Sequence, residues 1–155
     1  MELSRNLRED SVSRLNPTAP RKVAHDATVG EAVELMRRER VGCLLVCESD
    51  RLVGIFTERD LMIRIVGIGR PLLARMTEVM TPQPVTVRMQ DSIRTAIKRM
   101  QSGGYRHLPI VEELHRPIGI LSVKRIVHYL VEHFPGTIYN LPPDPGAIPL
   151  EREGA

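Results

Sequence analysis

Apolar residues in this chain alternate between helical spacing and short near-continuous runs, and the order of these patterns occurs twice. Val29, Ala32, Val33 and Met36 fall on one helical face. The preceding Thr28-Val29-Gly30-Glu31 forms a capping box in which the Thr hydroxyl accepts from a backbone N–H three residues on and Glu31 reaches back. This helix should end near Arg40. Residues 44–46 and 52–56 are strand-like, and the polar turn Glu48-Ser49-Asp50-Arg51 between them predicts a hairpin. Thr57-Glu58-Arg59-Asp60 then opens a second stripe of Leu61, Met62, Ile65 and Val66, which Gly67 and Gly69 close.

The second occurrence follows the same plan. Ser92 caps a stripe of Ile93, Ala96, Ile97 and Met100, and Gly103-Gly104 breaks it. Residues 108–111 and 118–121 supply strands, and Ser122 opens a final helix with Val123, Ile126, Val127, Leu130 and Val131 on its apolar face. Residues 28–47 align with 92–111 without a gap at an offset of 64, and 53–62 align with 118–127 at an offset of 65. Ala32 meets Ala96, Met36 meets Met100, Leu44 meets Leu108, Gly54 meets Gly119 and Ile55 meets Ile120. A unit this short buries too little surface to be secure alone, so the copies should pack about a pseudo-twofold axis with related clefts between them. The expected fold is α/β (α+β): two tandem repeats, each helix-strand-strand-helix with a short lead-in strand, at 23–24 and 85–87.

The expected divisions are an N-terminal arm (1–20), a first repeat (21–70), a second repeat (71–133) and a Pro-rich C-terminal tail (134–155). The arm is charged and ends in a Pro-containing stretch, which suits either a short helix or disorder. In the tail, Pro135, Pro142, Pro143, Pro145 and Pro149 exclude a long helix and favour an extended segment. Tyr139, Leu141 and Ile148 would anchor that segment on a neighbouring surface, or the end is mobile.

At 155 residues, with 42% hydrophobic and 26% charged content, the chain is long enough to bury a core. No apolar run approaches the roughly 20 residues that span a bilayer, and the charged start lacks the apolar stretch of a secretion signal, so a cytoplasmic address is expected. Cys43 and Cys47 lie four apart and would share one strand face; buried free thiols fit better than a disulfide or metal site, since nothing nearby supplies other ligands. Aromatics make up 3% of the chain, too few for the stacking platforms of single-strand binders, so nucleic acid is not the expected partner despite a net charge of +3. His25, His107, His115, His128 and His133 lack the spacing of a helical zinc site. There is no Gly-x-Ser-x-Gly elbow, and Gly67-Ile68-Gly69 is too short for a dinucleotide fingerprint. The sequence therefore reads as non-enzymatic, with no cofactor required.

The pattern resembles a tandem pair of cystathionine-β-synthase (CBS) domains. The resemblance rests on VMTPQPVTV (79–87), on YRHLPIV (105–111), and on LVGIFTERDL (52–61) matched by PIGILSVKRI (117–126), and it covers about residues 20–133. It implies a module that forms homodimers or attaches to other proteins, and that binds adenosine-containing ligands such as AMP, ADP, ATP or S-adenosylmethionine between its repeats.

The chemistry can be stated without the family. A strand that ends in Thr and runs into a helix presents a hydroxyl and free N–H groups suited to a phosphate oxygen, and a carboxylate one turn later can accept from a ribose diol. Thr57 and Asp60 have this spacing, although Thr-x-x-Asp is also a plain helix cap. By the resemblance, Thr57 lies near the phosphate and Asp60 takes the ribose hydroxyls. Ile55, Gly42 and Cys43 would line the same cleft, and Met80, Thr81, Pro84, Val85, Tyr105 and Arg106 would close it from the second repeat. In the related second cleft (Ser122, Ile120, Arg106, His107, Val41, Gly42), Arg125 replaces the carboxylate, so that cleft is either vacant or takes a simple anion or polyphosphate.

Three functions are consistent with the sequence. The first is a regulatory module for an adenosine ligand, passing its bound state to a partner protein or a second copy. The second is a ligand-free dimerisation or interaction scaffold, and the third a polyphosphate or nucleic acid binder on the Arg-rich surface.

Overall fold

Helix starts form where local chemistry satisfies the free N–H groups of the first turn. In the computed structural model, which describes residues 2–140, Thr28 Oγ1 accepts from the Glu31 N–H at 3.2 Å while the Glu31 carboxylate accepts from the Thr28 N–H at 2.9 Å. The helix they open, Val29–Glu39, ends at Arg40 with φ 54°. Its counterpart Ile93–Gly103 starts at Ser92, whose hydroxyl accepts from the Thr95 N–H at 3.1 Å, and ends at Gly104 with φ 67°. Glycine suits that left-handed position, having no Cβ to clash.

The elements run α1 (Glu2–Glu9), a 3-10 turn (Val12–Leu15), β1 (Lys22–Ala24), α2 (Val29–Glu39), β2 (Cys43–Glu48) and β3 (Arg51–Thr57). Next come α3 (Glu58–Asp60), continuing as a π-helix (Leu61–Val66), then α4 (Met76–Val79) and β4 (Thr81–Pro82). The second repeat adds α5 (Ile93–Gly103), β5 (His107–Glu112), β6 (Arg116–Ser122) and α6 (Val123–His133), and α7 (Pro135–Tyr139) follows. One sheet has the order β1-β2-β3-β4 and the other is the hairpin β5-β6. The hairpins share a register: Leu45 faces Ile55 and Pro109 faces Ile120, with a bulge between Val46 and Cys47 and an equivalent one between Ile110 and Val111.

The two repeats exchange their lead-ins. Val12, Leu15 and Leu3 are buried with Ile93, Leu108, Leu121 and Ile126 of the second repeat, whereas Met76, Val79 and Ala74 are buried with Val29, Leu44 and Phe56 of the first. The backbone repeats this at an offset of 64: Val12 N–H donates to Asp91 O as Met76 N–H donates to Ala27 O, and Ser13 to Met89 O as Thr77 to His25 O. Thr81 of β4 pairs with Ile55, and Thr18 pairs with Ile120. A third cluster of Leu45, Leu52 and Val111, with Ile55 and Ile120, joins the sheets near the pseudo-twofold axis.

Two sequence expectations need correction, the lead-in strand at 85–87 and the extended tail. Residues 85–87 make one parallel bridge, Val87 with Ile110, instead of a strand. The cause lies in β5, where Pro109 has no N–H to match the Leu45 N–H that donates to Arg21 O at 2.9 Å. The apolar stripes of the two closing helices divide between core and surface: after Asp60, Ile65 is buried, but Met62 and Val66 are 66% and 72% exposed. On α6, Ile126 is buried while Val123, Val127 and Val131 are exposed. Residues 135–139 form a helix instead of an extended segment, Pro135 taking the first turn, where its missing N–H costs nothing. Tyr139 is exposed on this chain, and Leu141 and Ile148 lie outside the described residues.

Candidate functional site

The first cleft is organised where β3 gives way to α3. Thr57, the last residue of β3, keeps extended backbone angles, so its side chain folds over the first helical turn. Its hydroxyl accepts from the Asp60 N–H at 3.3 Å and donates to Asp60 Oδ2 at 3.2 Å, and its own N–H donates to Oδ2 at 3.0 Å. The other oxygen, Oδ1, faces the second repeat's lead-in. Thr81 Oγ1 donates to it at 3.4 Å, and Arg64 Nε lies 3.4 Å away in an ion pair. Arg64 Nη1 also donates to Met80 O at 3.0 Å and Val79 O at 3.5 Å. Asp60 is thus a hub between repeats, its side chain only 12% exposed.

Most of the residues expected around Asp60 gather there. β4 places Thr81 opposite Ile55, and Met80 lies over Gly54, where an added Cβ would stand 2.4 Å from its Sδ. Only glycine permits that approach. The Gly42 carbonyl accepts the Glu58 N–H at 3.0 Å, and the Glu58 carboxylate folds back to 3.0 Å from where a Gly42 Cβ would stand. The buried Cys43 thiol is pushed up to about 12, first by loss of solvent and then by the charge of Asp60, and stays neutral. Pro84 is half-buried and Val85 exposed, just beyond β4.

Tyr105 and Arg106 are placed elsewhere. The Tyr105 ring covers Gly103 at the end of α5, and Arg106 O accepts the Val123 N–H at 3.0 Å, which puts Arg106 at the start of α6 beside the second cleft. There Ser122 Oγ accepts from the Arg125 N–H at 3.4 Å, repeating the Thr57 cap without a carboxylate. Arg125 is exposed, Ile120 packs between the sheets, and Val41 packs with the first repeat's core. Burial pushes His107 below the usual imidazole value; the negative charge of Glu58 opposes this, so α3 and β5 sense each other across the interface.

Sequence reasoning missed Arg64. Its signal was present, since an Arg four residues after an Asp on a helix is an ion-pair spacing. Outside the cleft, a wide groove of about 710 Å³ lies along β1 and α2, lined by Lys22, Val23, Leu35, Arg38, Leu72 and Leu73, and shares no wall with Asp60. No group of three or more His, Cys, Asp or Glu among the described residues is placed to hold a metal ion. No helix among them is long and apolar enough to cross a membrane.

Both repeats match the model of the CBS domain, over residues 12–67 and 76–132. Among curated proteins, the chain is 35% identical over 105 residues to the Meiotically up-regulated gene 70 protein of Schizosaccharomyces pombe, covering 67% of this chain and 14% of that one. It spans 14%, 22% and 62% of the length of the first curated relatives it matches. Among solved structures, it is similar to a putative signal-transduction protein with CBS domains from Burkholderia ambifaria, with a TM-score of 0.73 and 26% identity over 81% of this chain and 96% of that one. CBSX2 in complex with AMP is similar with a TM-score of 0.68 and 25% identity, over 79% and 96% of the two chains.

Proposed function

The chain belongs to the CBS-domain family, and from that premise we propose that it is a non-catalytic regulatory module whose first cleft holds the ribose and phosphate of AMP, ADP, ATP or S-adenosylmethionine. The observation that carries this reading is the placement of Thr57 and Asp60 at the end of β3, facing Thr81 from the other repeat. Asp60 supplies acceptors for a sugar diol, and the Thr57 hydroxyl lies beside them for a phosphate oxygen. The AMP complex of CBSX2 supports the ligand class. Arg125 at the equivalent place in the second cleft supports a single diol site, leaving that cleft vacant or open to a simple anion.

A ligand that touches both repeats favours the geometry that satisfies both, and this shift is the signal passed on. The receiver in this reading is a second copy of the chain or a regulated protein. Met62 and Val66 on the π-helix and Val127 and Val131 on α6 occupy equivalent places, offset by 65, and all four are exposed, which supports a symmetric homodimer packed through these helices. The buried free thiols of Cys43 and Cys47 suit a reducing cytoplasmic setting.

A second reading has one observation in its favour: the chain's own donors already serve both oxygens of Asp60, as they would in a purely structural scaffold. Thermal unfolding with AMP, ATP and S-adenosylmethionine, on the wild type and Asp60→Ala, separates the two. At a hundredfold excess over Kd a ligand stabilises by about 2.7 kcal/mol, on the order of 5–10 °C for a domain of this size. The regulatory reading requires that shift in the wild type and its loss in the variant. A wild type indifferent to all three ligands leaves the scaffold.

A further inference from the structure

A carboxylate offers about four lone-pair positions, and on Asp60 three hydrogen-bond donors and one ion-pair partner are already in place. Two of them, the Thr57 N–H and hydroxyl on Oδ2, belong to the helix cap and cannot leave without opening it. The other two, Thr81 Oγ1 and Arg64 Nε, both reach Oδ1 at 3.4 Å, and the Arg64 side chain is 43% exposed. A diol arriving at Asp60 must therefore compete on the Oδ1 side. Arg64 is no isolated partner there, because its planar guanidinium also holds the carbonyls of Val79 and Met80, where α4 passes into β4.

We infer that Arg64 is the positioning residue through which occupancy of the first cleft is felt by the second repeat's lead-in: a vicinal diol binds Asp60 by displacing Arg64 and Thr81, loosening the strap on Val79–Thr81. The inference rests on the ligand class given under Proposed function. The other repeat provides an internal comparison. Tyr129, 65 residues after Arg64, also reaches the opposite lead-in, through its hydroxyl to Asp10. Arg125 stands where Asp60 would be, so this second strap touches no carboxylate in a cleft. One strap is wired to a ligand site and the other is a fixed clasp.

The test compares AMP with 2′,3′-dideoxyadenosine monophosphate, which keeps base and phosphate but has no diol, by calorimetric titration of the wild type and Arg64→Gln. Any attraction of Arg64 for the phosphate affects both ligands and cancels in the ratio of their affinities. Displacing a partly exposed ion pair weakens diol binding by about two- to fivefold, so Arg64→Gln should raise the AMP preference by that factor. Thr81→Val, which removes the other weak donor and leaves the helix intact, must move the ratio the same way. A ratio unchanged or lowered in either variant overturns the inference while the ligand site stands. A wild type that binds neither nucleotide, and neither ATP nor S-adenosylmethionine, overturns both.

Discussion

At the scale of single residues, Arg64 and Tyr129 hold equivalent positions but differ in what they touch. Tyr129 is buried, and its hydroxyl donates to the Asp10 carboxylate, which also pairs with Arg14 at 2.8 Å. The Tyr129 hydrogen bond, with help from Arg14 and against some loss of solvent, holds Asp10 below the usual carboxylate range. Burial and the negative carboxylate push Tyr129 up to about 12. Because the folded value of Asp10 is lowered, the clasp contributes fully above the ordinary carboxylate value near 3.8 and is lost as pH falls through the folded one. Because that of Tyr129 is raised, the contribution is also lost as pH climbs from 10 towards 12. Tyr129→Phe should therefore cost about 1–2 kcal/mol at neutral pH, and thermal melts should show this difference shrinking as the pH falls below 3.8. A difference that did not shrink at low pH would mean that the hydroxyl acts independently of the Asp10 charge, and no difference at any pH would mean that Tyr129 matters only for its ring. The cap of Thr57 and Asp60 was legible because it is local. Asp10 and Tyr129 stand 119 positions apart with no pattern linking them, and only the fold brings them together.

At the scale of elements, spacing identified the hairpins and the helices that follow them, but not what covers each face. The spacing of Leu61, Met62, Ile65 and Val66 marks a helical stripe without saying what covers it; in the π-helix Ile65 turns inward and Met62 and Val66 outward. The same division recurs on α6, where Ile126 and Tyr129 are buried and Val127 and Val131 exposed. An apolar period shows that a face avoids water, and a second copy satisfies that as well as a core does. Sedimentation or light scattering should accordingly find the wild type at twice 17.5 kDa and Val127→Glu at 17.5 kDa, because a carboxylate on the contact must shed its water without a partner. A monomeric wild type, or a variant that stays paired, would remove this interface.

At the scale of the whole molecule, reciprocal exchange of the lead-ins makes the two repeats one mechanical unit. Its sequence signal was faint: at the offset of 64 Val12 matches Met76, Leu15 matches Val79, Pro20 matches Pro84 and Val23 matches Val87, all ahead of the stronger alignment that starts at residue 28. Aliphatic exchanges of this kind carry little information until the backbone bonds of 12–13 and 76–77 are seen to coincide. The consequence for the proposed function is that a ligand on Asp60 would meet both repeats at once, because Asp60 contacts Thr57 on one side and Thr81 on the other. Backbone amide shifts during an AMP titration test this most directly. The account predicts that the largest changes fall together on residues 57–61 and 79–82, with the start of α6 around Ser122 to Arg125 little affected. Changes confined to one of those two segments, or centred on Ser122, would contradict it.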